Sequence, residues 1–210
     1  MTSIFIVIGI IGWVALLASM YIYRKAKVER LKSITVDEKE STDSNIVVIG
    51  GGTGQSVFLR GLKTKTQNIT AIVTVADDGG GSGVLREDLG MLPPGDIRNC
   101  LLALANIEPT MREVMQYRFT DGALKGQSFG NLFLAAMNGL YGNFEVALYK
   151  MSQIFAITGK VLPVTLNNIN LIAELKNGKI VKGESKIPKQ VKFDKTSIEK
   201  VYLDQEDAEP

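Results

Sequence analysis

A run of β-branched residues that ends in a glycine-rich turn constrains the fold of this chain most strongly. Ile46–Ile49 are four consecutive apolar residues, and Gly50, Gly51, Gly52 and Gly54 follow them directly. Such a run is typical of a strand buried on both faces of a parallel sheet. A helix that begins near Gly54 would present unpaired backbone amides and the positive end of its dipole to an anion. The sequence therefore predicts a phosphate site, with a tight turn that binds no ligand as the alternative.

Two common phosphate-binding motifs fit this turn poorly. A P-loop closes with Lys followed by Ser or Thr, whereas Gln55 and Ser56 stand here. The dinucleotide fingerprint finds Gln55 where its third glycine belongs, and the first acidic residue, Asp77, lies 27 positions after Gly50 instead of about 20. An NAD site is therefore a weak match. Thr53 is a candidate hydroxyl donor to a bound anion.

A second glycine-rich segment follows the next predicted strand, Ile69–Val75. It contains Asp77 and Asp78 and continues through Gly79–Gly83, at the edge of an open α/β sheet where ligands bind. We expect the two carboxylates to hold ribose hydroxyls, a base or a cation that bridges phosphates; solvated turn residues are the alternative. Arg86 is a candidate to counter these carboxylates or to bind a phosphate.

A third candidate segment is Leu92–Asn99, a proline-containing loop that leads into a helix. Asp96 is its predicted N-cap, and the apolar residues behind it recur at helical spacing, which is typical of a core-facing helix. Arg98 and Asn99 lie in the first turn, where they would point toward a ligand at the sheet edge. Asn131 opens a later amphipathic helix and is a candidate ligand contact for the same reason.

The last third of the chain predicts an antiparallel excursion from the parallel sheet. Leu171–Lys176 and Lys179–Glu184 flank the pair Asn177-Gly178, which favours a type I′ hairpin turn. Ile198–Leu203 is a further predicted strand. Before this region, Asn143 is a predicted N-cap of an amphipathic helix.

The N-terminal segment predicts a membrane anchor. Ile4–Tyr23 are 20 consecutive positions without a charge, enough at ~1.5 Å per residue to cross a hydrocarbon core of about 30 Å. Basic residues crowd into residues 24–32, so the positive-inside rule predicts one transmembrane helix with the remaining chain in the cytoplasm. A cleaved signal peptide is the alternative, and the absence of Lys or Arg before the apolar run disfavours it. The predicted organisation is an anchor with a basic juxtamembrane segment over 1–32, a linker over 33–44 and a domain over 45–210.

The charge distribution argues against nucleic-acid binding. The whole chain has a net charge of +2, and residues 24–32 hold five basic residues and one acidic residue, so the rest carries −2. A domain without net positive charge lacks the electrostatic footprint of a nucleic-acid-binding protein, whereas the basic cluster suits anionic lipid headgroups. Cys100 is the only cysteine. It is more typical of a small buried side chain than of a nucleophile.

Three segments together resemble one protein family. GGGTG (residues 50–54), VTVADDGGGSGVLREDLGMLPPGDIRN (73–99) and KGQSFGNLFLAAMNGL (125–140) resemble the YvcK-type gluconeogenesis factors, which share a superfamily with CofD, the 2-phospho-L-lactate transferase. The resemblance covers roughly residues 45–210. It implies a Rossmann-like, doubly wound α/β fold with a mostly parallel sheet that binds a nucleotide or nucleotide-sugar, and UDP-sugars are the expected ligands.

The resemblance also implies a role and a set of site residues. The YvcK branch is linked to cell-envelope morphology, cell shape and growth on gluconeogenic carbon sources, as a metabolite-responsive regulator that requires no cofactor. The CofD branch instead transfers a phospholactyl group from a nucleotide-linked donor with Mg²⁺, and in that alternative Asp77 and Asp78 are the catalytic candidates. A nicotinamide oxidoreductase is the least favoured third reading. The binding positions that carry over by motif are Gly51, Gly52, Thr53, Gly54, Asp77, Asp78, Gly79, Arg98, Asn99 and Asn131.

Two features depart from the family pattern. Members usually carry a histidine before the Ser-Phe-Gly-Asn motif, whereas this chain has Gln127 there and contains no histidine. Glutamine forms hydrogen bonds but does not shuttle protons near neutral pH, which favours binding over catalysis. Members also continue with further strands and another glycine-bearing loop, so we expect the domain to be incomplete at its C-terminus. Self-association into a homo-oligomer stays open.

Overall fold

The computed structural model describes residues 44–107, 109–205 and 207–209, together with Met20. The elements of this part alternate first between strands and helices and later form a separate antiparallel sheet. In chain order they are β1 (Ile46–Gly50), α1 (Gly52–Leu62), β2 (Ile69–Val73), α2 (Gly80–Leu89), α3 (Pro94–Leu104), α4 (Pro109–Gln116), α5 (Phe129–Tyr141), α6 (Phe144–Ile154), β3 (Lys160–Pro163), β4 (Leu171–Leu175), β5 (Ile180–Lys182), α7 (Ile187–Asp194) and β6 (Ile198–Leu203).

A parallel three-stranded sheet carries the glycine turn. Its order is β1-β2-β3, and Val48 pairs with Ala71, which pairs with Val161. Parallel strands need crossover connections, and α1 supplies the one between β1 and β2. The predicted α/β fold with a parallel sheet is confirmed.

Only one face of this sheet is covered by the described residues. Ala71 and Val73 are fully buried on that face, where α3 contributes Ile97 and Leu101 to the same core. On the opposite face Val47 is 55% exposed and Ile49 74% exposed. The predicted burial of the first strand on both faces is therefore wrong for the described part, which does not form a doubly wound arrangement by itself.

The second sheet has the order β5-β4-β6 and is antiparallel throughout. The hairpin is present, but its predicted type I′ turn is wrong, because only Gly178 has a positive φ (+81°) and Asn177 does not. The Gly178 amide donates to the Leu175 oxygen at 2.8 Å, so the loop is a type I turn followed by a left-handed glycine. Ala173 and Leu175 of β4 pack with Val181 and Ile187 in a small core of their own. The predicted hairpin and the predicted strand at Ile198–Leu203 are confirmed, and both belong to this sheet.

The segment after β2 differs from its predicted form, because α2 begins at Gly80 and incorporates glycines that were assigned to a loop. Glycine weakens a helix by roughly 0.5–1 kcal/mol relative to alanine, so local propensity disfavours a helix here. Packing explains the glycines. A Cβ on Gly81 would lie 2.7 Å from Gln127 Oε1, and one on Gly83 would lie 2.8 Å from the backbone carbonyl carbon of Asp78.

The sequence predicted a transmembrane helix as part of the fold and of the location, and this prediction is wrong. No helix within the described residues is both long and apolar enough to cross a membrane. The longest, α5, has 13 residues, or about 20 Å at 1.5 Å per residue, against the roughly 30 Å of a hydrocarbon core. The predicted span Ile4–Tyr23 lies, apart from Met20, outside the described residues. The described residues form an α/β domain.

Candidate functional site

A cleft opens at the carboxyl end of β1, where the glycine turn meets the loop after β2. Its volume is about 620 Å³, within the range of small-molecule sites. Three carboxylates and the turn itself dominate its surface. The lining residues are Val48, Ile49, Gly50, Gly51, Gly52, Thr53, Gly54, Gln55, Phe58, Asp77, Asp96 and Glu184.

The N-terminus of α1 forms one wall of this glycine-loop cleft. Gly51 is the N-cap and has no side chain with which to cap the helix. A Cβ on Gly52 would lie 2.6 Å from Asp96 Cγ and 2.7 Å from Asp96 Cα, so glycine is what allows α3 to approach this closely. Thr53 and Gly54 are exposed, and a Cβ on Gly54 would meet nothing within 4 Å. The turn is therefore tight at Gly52 and open to the cleft at Gly54.

Gln55 lies near the position of a P-loop lysine, and its side chain bonds to the protein's own backbone. Its buried side chain donates from Nε2 to the backbone oxygens of Val48 at 2.7 Å and Ile72 at 3.2 Å. Its Oε1 accepts from Cys100 Sγ at 3.5 Å. These bonds fasten α1 and α3 to the sheet.

Cys100 is fully buried, and burial together with the charge of Asp96 raises the pKa of its thiol to about 12. A thiolate is therefore not populated at neutral pH, in agreement with the packing role expected from the sequence.

Three carboxylates from separate parts of the chain face the cleft. Burial raises the pKa of Asp96 and the charge of Asp77 adds to this, while a hydrogen bond from the Gly52 backbone and the charge of Arg98 oppose it. Burial and the charges of Asp77, Asp96 and Asp78 likewise raise the pKa of Glu184. None of the described lining residues is Lys or Arg. The cleft is thus rich in acceptors and negative in charge.

The two adjacent aspartates point in different directions. Asp77 Oδ1 accepts from the Gly79 amide at 2.9 Å and its side chain faces the glycine-loop cleft. Asp78 Oδ1 instead accepts from the Ser185 amide at 2.8 Å, in the turn between β5 and α7. Asp78 lines a different cleft, of about 500 Å³, together with Arg86. The pair predicted to act together is therefore split, and Gly79 is the N-cap of α2.

The side chain of Arg86 bonds to oxygens of the protein itself. The residue is 7% exposed. It donates to Asn168 Oδ1 at 2.7 Å and to the backbone oxygens of Ala76 and Ile169. These bonds connect the end of β2 to the segment before β4, and the contact of Arg86 with a ligand phosphate stays a prediction.

Arg98, Asn99 and Asn131 form a cluster beside the cleft rather than part of its lining, with Arg98 and Asn131 buried and Asn99 half-buried. Arg98 donates to Ser128 Oγ, and to Asn99 Oδ1 at 2.8 Å. Ser128 caps α5 by accepting from the Asn131 amide at 3.3 Å. Arg98 Nε, Asn131 Oδ1 and Gln127 Oε1 are buried without a hydrogen-bond partner among the described residues. Unpaired buried polar atoms are rare in folded proteins and mark a place where a ligand or water completes the structure.

Arg98 also lacks an acidic partner within ion-pair distance in the described part of the chain. Burial and the charge of Arg118 lower its pKa, and the charge of Asp96 opposes this. Its guanidinium interacts with the carboxylate of Asp96, which lies two residues before it on α3.

Asp96 and Glu184 are the site residues that sequence reasoning missed. Asp96 was assigned as the N-cap of α3, but Pro93 takes that position and the Asp96 carboxylate turns toward Gly52. Glu184 stood at the end of a predicted hairpin with no signal of a role. Within the described ranges, no group of three or more His, Cys, Asp or Glu side chains is arranged to hold a metal ion.

Comparison with known proteins places this architecture in a family. The family described as "2-phospho-L-lactate transferase CofD" matches residues 46–210. The chain belongs to the CofD family. This confirms the resemblance inferred from the glycine turn and the acidic segment.

Two relatives named as gluconeogenesis factors and one crystal structure are similar to this chain. A protein of Thermoanaerobacterium thermosulfurigenes named "Putative gluconeogenesis factor" is 68% identical over 79% of this CofD-family chain and 51% of its own length. The "Gluconeogenesis factor" of Bacillus subtilis is 49% identical over 79% of this chain and 51% of its own. A crystal structure of a Bacillus halodurans protein matches with a TM-score of 0.75 at 49% identity, over 80% of this chain and 53% of that one. The chain spans about half the length of these relatives.

Proposed function

We propose that this CofD-family chain binds a nucleotide-sugar, of the UDP-sugar class, in the glycine-loop cleft and acts as a regulator of the gluconeogenesis-factor type. The observation that carries the proposal is the N-terminus of α1, which opens at the carboxyl end of β1 with Thr53 and Gly54 exposed to the cleft. Amides at the start of a helix favour a phosphate group. Ligands of open α/β sheets bind at this edge.

The acidic residues of the cleft are suited to bind the sugar hydroxyls of such a ligand. Asp77 and Glu184 present carboxylate oxygens opposite the glycine turn, and carboxylates accept hydrogen bonds from ribose and hexose hydroxyls. A ligand that pairs a diphosphate with several hydroxyl donors matches both walls. The link to cell-envelope synthesis and cell shape, implied by the resemblance to YvcK-type proteins, belongs to the same proposal.

The buried cluster around Arg98 supports an anionic ligand. A guanidinium without an acidic partner, with an unpaired Nε, is costly unless another group balances it. A ligand phosphate that extends past Asp96 would supply that charge. Asn131 Oδ1 and Gln127 Oε1 would then bond to donors of the ligand or to water that it orders.

One pair of variants on α1 tests the placement. Gly54→Asp puts a carboxylate into the cleft, whereas Gly61→Asp puts one on the same helix away from it, and a Cβ at either position meets nothing within 4 Å. We expect Gly54→Asp to weaken UDP-glucose binding by at least about tenfold through like-charge repulsion, and Gly61→Asp to leave it unchanged. Isothermal titration calorimetry on the full chain measures both. Equal affinities for the two variants would refute the site.

The second candidate function is a Mg²⁺-dependent phospholactyl-type transferase. The family description favours it, as do the two carboxylates Asp77 and Asp96 beside a phosphate position, because Mg²⁺ is commonly held by one or two carboxylates plus ligand phosphates. Mass spectrometry of a nucleotide-linked donor incubated with the protein and Mg²⁺ separates the candidates. Intact donor is the expected result. Conversion with time that Asp77→Asn abolishes would establish the transferase instead.

A further inference from the structure

Asp96 reaches the glycine turn from a different helix. It is the third residue of α3, and its carboxylate lies against the start of α1, where a Cβ on Gly52 would lie 2.6 Å from Asp96 Cγ. A Cβ on Gly51 would lie 3.3 Å from Asp96 Oδ2. The carboxylate thus sits between the N-termini of two helices, each of which favours a negative charge.

That position is the one an anionic ligand would otherwise take. The protein's own carboxylate lies at the Gly51–Gly52 turn, with Thr53 and Gly54 exposed beside it. Amides at a helix N-terminus bind carboxylates and phosphates through the same geometry. A phosphate placed at Gly52 would therefore meet Asp96 directly.

Other charged groups around Asp96 add to the repulsion between an anionic ligand and the cleft. Asp77 faces it from the segment after β2 and Glu184 from the turn between β5 and α7. The Cys100 thiol on α3 is neutral, and Arg98 on the same helix is already held by Ser128 and Asn99. An anion that enters the cleft therefore encounters three carboxylates and one partly engaged guanidinium.

We propose that Asp96 is a built-in competitor for the ligand phosphate: its carboxylate occupies the anion position at the glycine turn, and a nucleoside diphosphate group binds by displacing or neutralising it. The inference rests on the proposed nucleotide-sugar binding in the same cleft. In this proposal Asp96 sets the ligand affinity. The protein with ionised Asp96 binds its ligand more weakly than the glycine turn alone would permit.

Proton uptake follows from this arrangement. If an anion binds more tightly to the protein with neutral Asp96, affinity rises as the pH falls, by at most tenfold per pH unit for one proton. Burial and the neighbouring Asp77 raise the pKa of Asp96, which brings the effect closer to neutral pH. Asparagine at this position still accepts from the Gly52 amide through its Oδ1 and removes only the charge.

Calorimetric titration of the full chain with UDP-glucose tests the proposal, because the diphosphate diester of this probe does not titrate near neutral pH. The measurements compare about pH 5.5 with about pH 8, in EDTA, for the wild type and for Asp96→Asn. Asp88→Asn is the matched control, since Asp88 is exposed near the end of α2. We expect Asp96→Asn to bind about tenfold more tightly at the higher pH and to show a weaker pH dependence than the wild type, with Glu184 as the remaining titrating group, and Asp88→Asn to match the wild type.

Two results would overturn the inference while leaving nucleotide binding intact. The first is binding by folded Asp96→Asn that is no tighter than that of the wild type at the higher pH. The second is a wild-type affinity that does not rise as the pH falls, which is measurable even if Asp96→Asn fails to fold. Failure of every variant to bind at either pH would refute the proposed function itself and the inference with it.

Discussion

Replacing Gly52 with alanine tests the contact between α1 and α3 on which the cleft depends. The added Cβ would lie 2.6 Å from Asp96 Cγ and 2.7 Å from Asp96 Cα, whereas non-bonded carbon atoms prefer about 3.5–4.0 Å. Because one of these atoms is backbone, rotation of the Asp96 side chain does not relieve the overlap, and α3 must shift by about 1 Å. Overpacking of this kind costs typically about 1–3 kcal/mol.

Gly54→Ala is the matched control, two residues further along the same helix. A Cβ there meets nothing within 4 Å, so only the helix-propensity gain of about 0.5–1 kcal/mol remains. The same gain applies at Gly52 and cancels in the comparison, so we expect Gly52→Ala to be less stable than Gly54→Ala by about 1–3 kcal/mol. Urea unfolding followed by circular dichroism gives both free energies of unfolding. Equal midpoints with equal m-values would show that α3 does not pack against Gly52 as described.

Three further predictions concern groups outside the glycine turn. Arg86→Met should lower the free energy of unfolding by about 2–4 kcal/mol in a denaturant titration, because it leaves the backbone oxygens of Ala76 and Ile169 without their hydrogen-bond donor. Arg60→Met, at an exposed position, is the control and should change the free energy of unfolding little. Cys100 should not react with a thiol reagent such as DTNB until the protein unfolds, since its pKa is raised to about 12 and it is fully buried; fast labelling of native protein would contradict this. Burial raises the pKa of Asp204, but hydrogen bonds from Lys182 and Asn170 outweigh burial and lower the pKa from 3.8 to about 2. The stabilisation of the fold by ionised Asp204 is therefore complete above pH 3.8 and is lost as the pH falls toward 2. Asp204→Asn should therefore reduce stability at neutral pH and flatten the acid limb of a thermal-unfolding profile, and an unchanged acid limb would refute the assignment.

Local sequence determined the elements whose conformation depends on neighbouring residues. The β-branched run followed by glycines predicted the strand and turn that begin the parallel sheet. The Asn177-Gly178 pair predicted the hairpin, and Asn143 predicted a helix start, where its Oδ1 accepts from the Val146 amide at 3.0 Å. Each signal acts within a few residues, because turn geometry, capping and side-chain alternation depend on the adjacent backbone.

Only the tertiary structure decided which side chains meet at the cleft. Asp78 bonds to Ser185, 107 positions away, and Arg86 to Asn168, 82 positions away; no local pattern encodes such partners. The glycines of α2 and the position of Asp96 also depend on tertiary packing. A helix with low propensity forms where packing leaves no room for a Cβ, and a residue with capping propensity is recruited by a neighbouring helix when that contact satisfies an unpaired amide. The sequence alone determined a strand, a glycine turn and a helix at this edge of the sheet, and the packing of α3 against α1 decided that the Asp96 carboxylate lies beside Gly52.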